Sequence, residues 1–147
     1  MIAHTIQLAL APVFVLVAIG NIMNILSTRL GRIVDRARFL QDRHGETTGA
    51  DHDIVVIEMR SIDDRIVLIT NAIRTLVISG LSIGTTVTIL FVEEVAGYSL
   101  EKIGAGFFIA AIALLMWALV LFLRETRVAA ATLRIPRDYL ELHRGDI

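Results

Sequence analysis

The feature of this sequence that most constrains its fold is a set of three long apolar stretches, over residues 6–28, 73–92 and 104–123. A helix needs about 20 apolar residues to cross the ~30 Å hydrocarbon core of a bilayer, and the third stretch contains no charged side chain. The whole chain is 55% hydrophobic and only 20% charged, which is more apolar than ordinary soluble domains. We therefore predict an all-α integral membrane protein, with residues 1–147 forming a single membrane domain in the lipid bilayer.

The rest of the composition argues against several functional classes. The chain has no cysteine, which excludes disulfides and cysteine chemistry, and its net charge of −1 gives no electrostatic basis for nucleic-acid binding. His44 and His52 lie among acidic residues, but their spacing matches no metal-ligand motif. The sequence also lacks a phosphate-binding glycine loop and a recognisable nucleophile–base arrangement. We expect no enzyme activity, no cofactor and no bound metal.

The distribution of arginine predicts the orientation of the three spans. No lysine or arginine precedes Arg29, and the connection 93–105 contains only Lys102, whereas residues 29–72 and 124–147 hold most of the basic side chains. Cytoplasmic segments of membrane proteins carry an excess of lysine and arginine. We expect the N-terminus outside, and the central segment and the C-terminus in the cytoplasm. The first stretch lacks the basic start and the cleavage site of a signal peptide, so we interpret it as a retained helix.

The central segment, residues 29–72, is predicted to be a helical hairpin. Apolar side chains recur at alternating spacings of three and four residues over 26–40 and again over 55–76. This pattern is typical of helices that pack along a narrow seam. The first two membrane helices would therefore extend into the cytoplasm as antiparallel arms, each projecting roughly 20 Å.

Turn and capping residues separate the two arms over residues 44–53. Gly45 suits the end of the first arm, and Asp51 or Asp53 suits the start of the second. After the third stretch the alanine-rich tail can continue as helix until Pro136, which should stop or kink it.

Three segments resemble a known family: APVFVL with Asn21 and Asn24 in the first span, RLGRIVDRARFL over residues 29–40, and FLRETRVA over 122–129. Together they are similar to the bacterial three-helix membrane family catalogued as domain of unknown function 2721. The resemblance covers most of the chain, and the arginine-rich segment is its most specific part. It implies a bacterial inner-membrane protein and implies no activity.

Polar side chains form a stripe on each of the first two apolar helices. On the first helix, Asn21, Asn24 and Thr28 share a face nearly opposite the apolar seam. Amides facing lipid need hydrogen-bond partners, and the third helix has no polar side chain to offer. We therefore expect a homo-oligomer in which the stripes form either a dry interface or a water-lined pore. The stripe on the second helix consists of Asn71, Thr75, Ser79, Ser82 and Thr86.

Two features of the second helix leave alternatives open. Serine and threonine in membrane helices often bond to a carbonyl of their own helix, in which case the second stripe carries no further meaning. Behind that stripe, Gly80 and Gly84 form a pair at the spacing that lets a neighbouring helix approach closely.

Four arginines are expected near the cytoplasmic boundary. Counting about 20 residues back from Val92 places this boundary near Ile73. Arg74 would then snorkel to the interface, and Glu125 is near enough in sequence to neutralise part of the charge. In a symmetric assembly the arginines could surround a cytoplasmic mouth and favour anions, or they could contact anionic lipids. These residues are Arg29, Arg32, Arg74 and Arg124.

Three functional hypotheses follow from these patterns. The first is an ion-conducting pore lined by the polar face of the first or second helix of a homo-oligomer, with the third helix facing lipid. The second is a membrane-anchored scaffold whose cytoplasmic hairpin binds a protein partner. The third is an accessory subunit of a larger transporter.

Overall fold

The computed structural model describes residues 2–97 and 99–132, and within these ranges it contains three long α-helices and no strand. Helix α1 spans Ile2–His44, α2 spans Ala50–Ala96 and α3 spans Glu101–Thr132. Each is long and apolar enough to cross a membrane, over Ala3–His44, Ala50–Ala96 and Glu101–Ala131. The predicted all-helical class, with three helices long and apolar enough to span a membrane, is thus confirmed. The predicted stop at Pro136 lies outside the described residues.

The helix ends follow from local sequence. Helix α1 ends at His44, one residue before Gly45, as the glycine suggested. Helix α2 begins at Ala50 after Gly49, whose φ of 69° is a conformation that favours glycine. Asp51 and Asp53 lie inside the first turn of α2 and do not cap it with a side-chain hydrogen bond, although their charge there suits the positive end of the helix dipole.

Helix α2 is the central element of the fold, since it packs along both α1 and α3, whereas α1 and α3 meet at few points. The core is the seam predicted from spacing. Every second seam position is buried, and the positions between them are half-buried against that core. The fully covered members are Ile19, Leu26, Ile33 and Leu40 of α1, and Val55, Ile62, Ile69, Leu76 and Ile83 of α2.

Contacts between α1 and α2 are found at four levels. Arg36 pairs with Glu58, and Arg29 shares an acidic partner with Arg65. Leu16 and Ile19 lie against Gly80, and Thr5 donates a hydrogen bond to Glu94. Residues later in α1 are therefore level with residues earlier in α2. The two helices make side-chain contacts from one end of α1 almost to the other.

Candidate functional site

The polar face of α1 is the candidate site that the single chain leaves open. Asn21, Asn24 and Thr28 are all exposed, on the side of α1 opposite the buried seam. The Thr28 hydroxyl donates to the Asn24 carbonyl oxygen at 2.9 Å. Neither Asn21 nor Asn24 has a side-chain hydrogen bond within the described part of the chain. We call these three residues the amide face.

The stripe predicted on α2 is divided by the structure. Ser79 is fully buried, and its hydroxyl donates to the Ala111 carbonyl oxygen of α3 at 2.7 Å. Thr86 is also buried, and its hydroxyl donates to the Ser82 carbonyl oxygen at 3.0 Å. Both residues therefore lie inside one subunit. Sequence reasoning sought a polar side chain on α3 and missed this partner because it is a backbone carbonyl.

The other two hydroxyls of that stripe bond to their own helix. The Thr75 hydroxyl donates to the Asn71 carbonyl oxygen at 2.8 Å, and the Ser82 hydroxyl donates to that of Ile78 at 3.0 Å. Such bonds satisfy the hydroxyl locally and require no second helix. Exposed amides without a side-chain hydrogen bond in the described chain therefore remain at Asn21 and Asn24 of the amide face and at Asn71 of α2.

The two glycines of the α2 pair have different surroundings. A Cβ at Gly80 would lie 3.6 Å from Leu16 Cδ1, which is ordinary contact with α1, and a Cβ at Gly84 would meet nothing within 4 Å. The tighter glycine contact is at Gly104 of α3, where a Cβ would lie 3.4 Å from Ile89 Cγ2. Gly104 thus packs against Ile89 of α2, a contact that no repeat in the sequence indicated.

At the arginine-rich end of the bundle, one buried carboxylate joins all three helices. Glu125 of α3 is 0% exposed. Arg65 Nε of α2 donates to its Oε1 at 2.9 Å, and the guanidinium of Arg29 of α1 lies 3.0 Å from its Oε2 as an ion pair without hydrogen-bond geometry. The Arg29 guanidinium also lies over the Phe122 ring, 5.3 Å from its centroid. We call Arg29, Arg65 and Glu125 the triad.

The triad itself carries two positive charges and one negative charge, a net charge of +1. A carboxylate removed from water requires close partners, because the desolvation cost of an unpaired buried ion is several kcal/mol. Sequence proximity suggested Glu125 as a neutralising group, but Arg65 was not singled out. The sequence could have indicated Arg65 by its position. It lies three residues after Ile62 and four before Ile69, which places it in the buried seam, where an arginine needs an acidic partner.

The triad also fixes the depth of the arginines. Arg65 is level with Arg29, and Arg74 lies nine residues further along α2, or ~13 Å at 1.5 Å per residue. The depth of Arg74 in the structure therefore differs from the boundary position expected from sequence. Arg74 is thus not level with Arg29, although the sequence predicted both near one boundary.

Arg74 is the one charged residue of α2 between Ile66 and Val92. Its side chain is exposed and makes no ion pair or hydrogen bond within residues 2–97 and 99–132. Arginine at the centre of a membrane helix costs about 2.5–3.5 kcal/mol on insertion scales, so it is rarely left without a partner. Arg32 and Arg124 are also exposed and have no ion pair in the described chain, but both lie at or beyond the level of the triad.

Polar contacts also join α1 and α2 at both ends of the bundle. The Thr5 hydroxyl donates to Glu94 Oε2 at 2.9 Å. At the far end Arg36 donates twice to Glu58, from Nε at 2.7 Å and from NH2 at 3.0 Å. The hydrogen bond with Glu58 raises the pKa of Arg36, partly offset by burial. These contacts fix the register of the two helices along their length.

In the described ranges, no three histidine or acidic side chains are grouped so that they could hold a metal ion. The rings of His44 and His52 lie 4.3 Å apart between centroids, across the turn that joins α1 and α2. Their contact closes the turn, and the structure adds no further ligand to them.

Comparison with known proteins gives one match. The sequence model of the family described as "Protein of unknown function (DUF2721)" matches residues 9–135. The search of curated proteins and the search of solved structures give no match. The match covers α1 from Ala9 onward and all of α2 and α3. The chain therefore belongs to this family, as the resemblance of its arginine-rich segment indicated.

Proposed function

We propose that this family member is a homo-oligomeric integral membrane protein of the bacterial inner membrane, and that its assembly conducts ions through a pore bordered by the amide face of α1. The observation that carries the proposal is the exposure of Asn21 and Asn24, without hydrogen-bond partners in the described chain, within an apolar membrane helix. Amides that lipid removes from water require hydrogen-bond partners. Within a membrane, those partners are other copies of the chain or water held between them.

The proposal places the triad at the cytoplasmic boundary and the N-terminus outside. The pairing of Thr5 with Glu94 and of Arg36 with Glu58 supports an antiparallel hairpin of α1 and α2. The excess of arginine at the triad end supports its assignment to the cytoplasm. In this arrangement the arms beyond the triad extend into the cytoplasm.

A single-cysteine experiment tests the pore directly, because the natural chain contains no cysteine. Asn24→Cys is reconstituted in planar bilayers and treated with a charged, water-soluble thiol reagent during current recording. We expect block of the current, since a residue bordering the pore is in contact with water. The matched control is Ile109→Cys on α3, which is 68% exposed but faces lipid in the proposed arrangement.

The outcomes separate the two interpretations of the amide face. Current that is blocked at residue 24 and insensitive at residue 109 supports a pore. Oligomers that conduct no ions, with residue 24 inaccessible to the reagent, would show that the amide face is a dry interface and would overturn the pore. A strictly monomeric protein would overturn both.

A second candidate function is a membrane-anchored scaffold, favoured by apolar side chains exposed on the α2 arm. Ile54 and Ile57 are 63% and 67% exposed, although both lie well outside the apolar stretch of α2. Exposed isoleucines beyond a membrane span are typical of a protein-binding surface. Here the amide face would only hold subunits together, and the arms would bind a cytoplasmic protein.

The double variant Ile54→Glu/Ile57→Glu discriminates between the two candidates. Both side chains are exposed, so the substitutions should leave the fold intact. A scaffold would lose its partner in cross-linking experiments on intact cells, whereas a pore would keep its conductance. Loss of conductance with an unchanged oligomer would argue that the arms take part in the pore.

A further inference from the structure

Arg74 and the amide face lie at the same depth. Two contacts fix the register of α2 against α1. Arg65 is level with Arg29, and Gly80 lies against Leu16 and Ile19. Interpolation between these two levels places Arg74 opposite Ile22, midway between Asn21 and Asn24. The same interpolation places Asn71 level with Asn24. The guanidinium of Arg74 and the amides of Asn21, Asn24 and Asn71 therefore share one layer.

Within one chain Arg74 cannot reach the amide face of α1. Arg74 lies on the face of α2 opposite the buried residues Ile69, Leu76 and Ile83, through which α2 contacts its neighbours. The amide face lies on the side of α1 that is turned away from α2. The donor and the acceptors thus occupy different outer surfaces of the same subunit.

The Arg74 side chain is too short to bring its guanidinium to water at the level of the triad. Its Cα lies ~13 Å from the level of the triad, and an extended arginine side chain covers roughly half of that distance. Among the described residues, no acidic side chain lies in this layer on any of the three helices. The Asn71 amide lies three residues before Arg74 on the same helix, but no hydrogen bond joins the two side chains in the described chain. The other amide oxygens at this depth are those of Asn21 and Asn24.

We propose that Arg74 of one copy donates hydrogen bonds to the Asn21 and Asn24 amides of a neighbouring copy, so that the back of α2 packs against the amide face of the next subunit. This inference rests on the proposed homo-oligomer and specifies its contact. Because two different surfaces meet, the contact is head-to-tail and closes into a ring when the rotation between copies allows it. It also brings one positive charge per subunit to the edge of the pore.

The test uses cysteines one or two turns from the polar residues, so that Asn21, Asn24 and Arg74 stay intact. Val17 lies on the amide face and is 57% exposed; Leu81 lies on the same side of α2 as Arg74 and is 68% exposed. The contact of Gly80 with Leu16 places these two residues at one level. Two differently tagged full-length chains, Val17→Cys and Leu81→Cys, are co-expressed and oxidised in native membranes, and disulfide-linked heterodimers are measured.

The matched control replaces Leu81→Cys with Ile109→Cys. Ile109 is equally exposed at 68%, and the bond from Ser79 to Ala111 places it near the level of Leu81, but it lies on α3. We expect heterodimers between residues 17 and 81 several-fold in excess of those between 17 and 109. Arg74→Gln in the Leu81→Cys chain should weaken association roughly 3- to 30-fold per contact, whereas Arg124→Gln should leave it unchanged.

The possible failures are distinguishable. Predominant cross-links between two copies of Val17→Cys would show that amide faces meet each other, which overturns the Arg74 contact and leaves the homo-oligomer standing. An oligomer by mass that is insensitive to Arg74→Gln would also overturn the contact. A monomeric mass without cross-links would remove the proposed function together with this inference.

Discussion

The arginine-rich end of the bundle differs from the middle of its apolar helices in whether polar side chains have partners within the single chain. At the arginine-rich end, Glu125 is buried and has two arginines as partners from two other helices. In the middle, Asn21, Asn24 and Arg74 are exposed and have no partner in the described chain. The polar groups of the first region have partners within one copy, and those of the second region have none in the described chain. In the proposed assembly, the first region stabilises the fold and the second forms the contact between copies.

The largest expected effect comes from the triad. Glu125→Gln removes the negative charge and leaves two arginines facing a neutral amide. Breaking a buried ion pair on one side costs about 3–5 kcal/mol, so the free energy of unfolding in detergent micelles should fall by that amount. Glu101→Gln is the control, because Glu101 is exposed at the start of α3. Unchanged stability of Glu125→Gln would show that water reaches the triad.

Replacing the whole triad sharpens this result. In Arg29→Met/Arg65→Met/Glu125→Leu no charge is left unpaired, and such replacements of buried ion networks are often neutral or stabilising. We expect unfolding stability within about 1 kcal/mol of the natural chain. A triple variant as unstable as Glu125→Gln would mean that the triad contributes shape that the apolar side chains cannot reproduce.

The amide face should show the opposite behaviour. Asn21→Leu/Asn24→Leu removes groups that the single chain does not satisfy, so the unfolding free energy of the monomer should stay the same or rise. Association should weaken by about 1–3 kcal/mol, because each interhelical hydrogen bond in a membrane contributes ~0.6–2 kcal/mol. Sedimentation equilibrium in density-matched detergent measures this change. A destabilised monomer would indicate that Asn21 or Asn24 has a partner within its own chain, in which case the two regions would not differ.

Much of this fold is predictable from spacing alone, and the reason is physical. The three-four recurrence over 26–40 and 55–76 predicts the seam because burial follows helical periodicity, and the structure buries Leu26, Leu40, Ile62 and Ile69 accordingly. The exposure of the amide face follows from the same periodicity, since Asn21 and Asn24 lie opposite that seam.

The partner of Ser79 and the depth of Arg74 could not be predicted from the sequence, because both depend on how the helices are aligned against one another. The partner of Ser79 is the Ala111 carbonyl oxygen, and every residue has a carbonyl, so composition carries no signal for it. The depth of Arg74 depends on which residue of α2 lies level with Arg29. The structure defines this level by the position of Glu125 between Arg29 and Arg65.

Ser79 offers a smaller test inside the subunit. Ser79→Ala removes the hydrogen bond to Ala111 with little change in volume, and should lower the unfolding free energy by about 0.6–1.7 kcal/mol. Ser82→Ala is the matched control on the same helix, because the Ser82 hydroxyl bonds only to its own turn, and it should have almost no effect. Reversible unfolding by a denaturing detergent measures both. Equal effects would show that the bond between α2 and α3 is no stronger than a local one.

The smallest effect is expected at the Arg36–Glu58 pair, where the side chains are 49% and 28% exposed. Arg36→Gln should lower stability by about 0.2–1 kcal/mol, and the loss should shrink as salt is added, since exposed pairs are screened. The raised pKa of Arg36 means that its contribution is present below the unfolded-state pKa and is lost only when strongly alkaline pH rises through the folded-state value. Stability from this arginine should therefore stay flat from neutral to mildly alkaline pH. A salt-independent loss as large as that of Glu125→Gln would place Arg36 with the triad among the residues that hold the helices together.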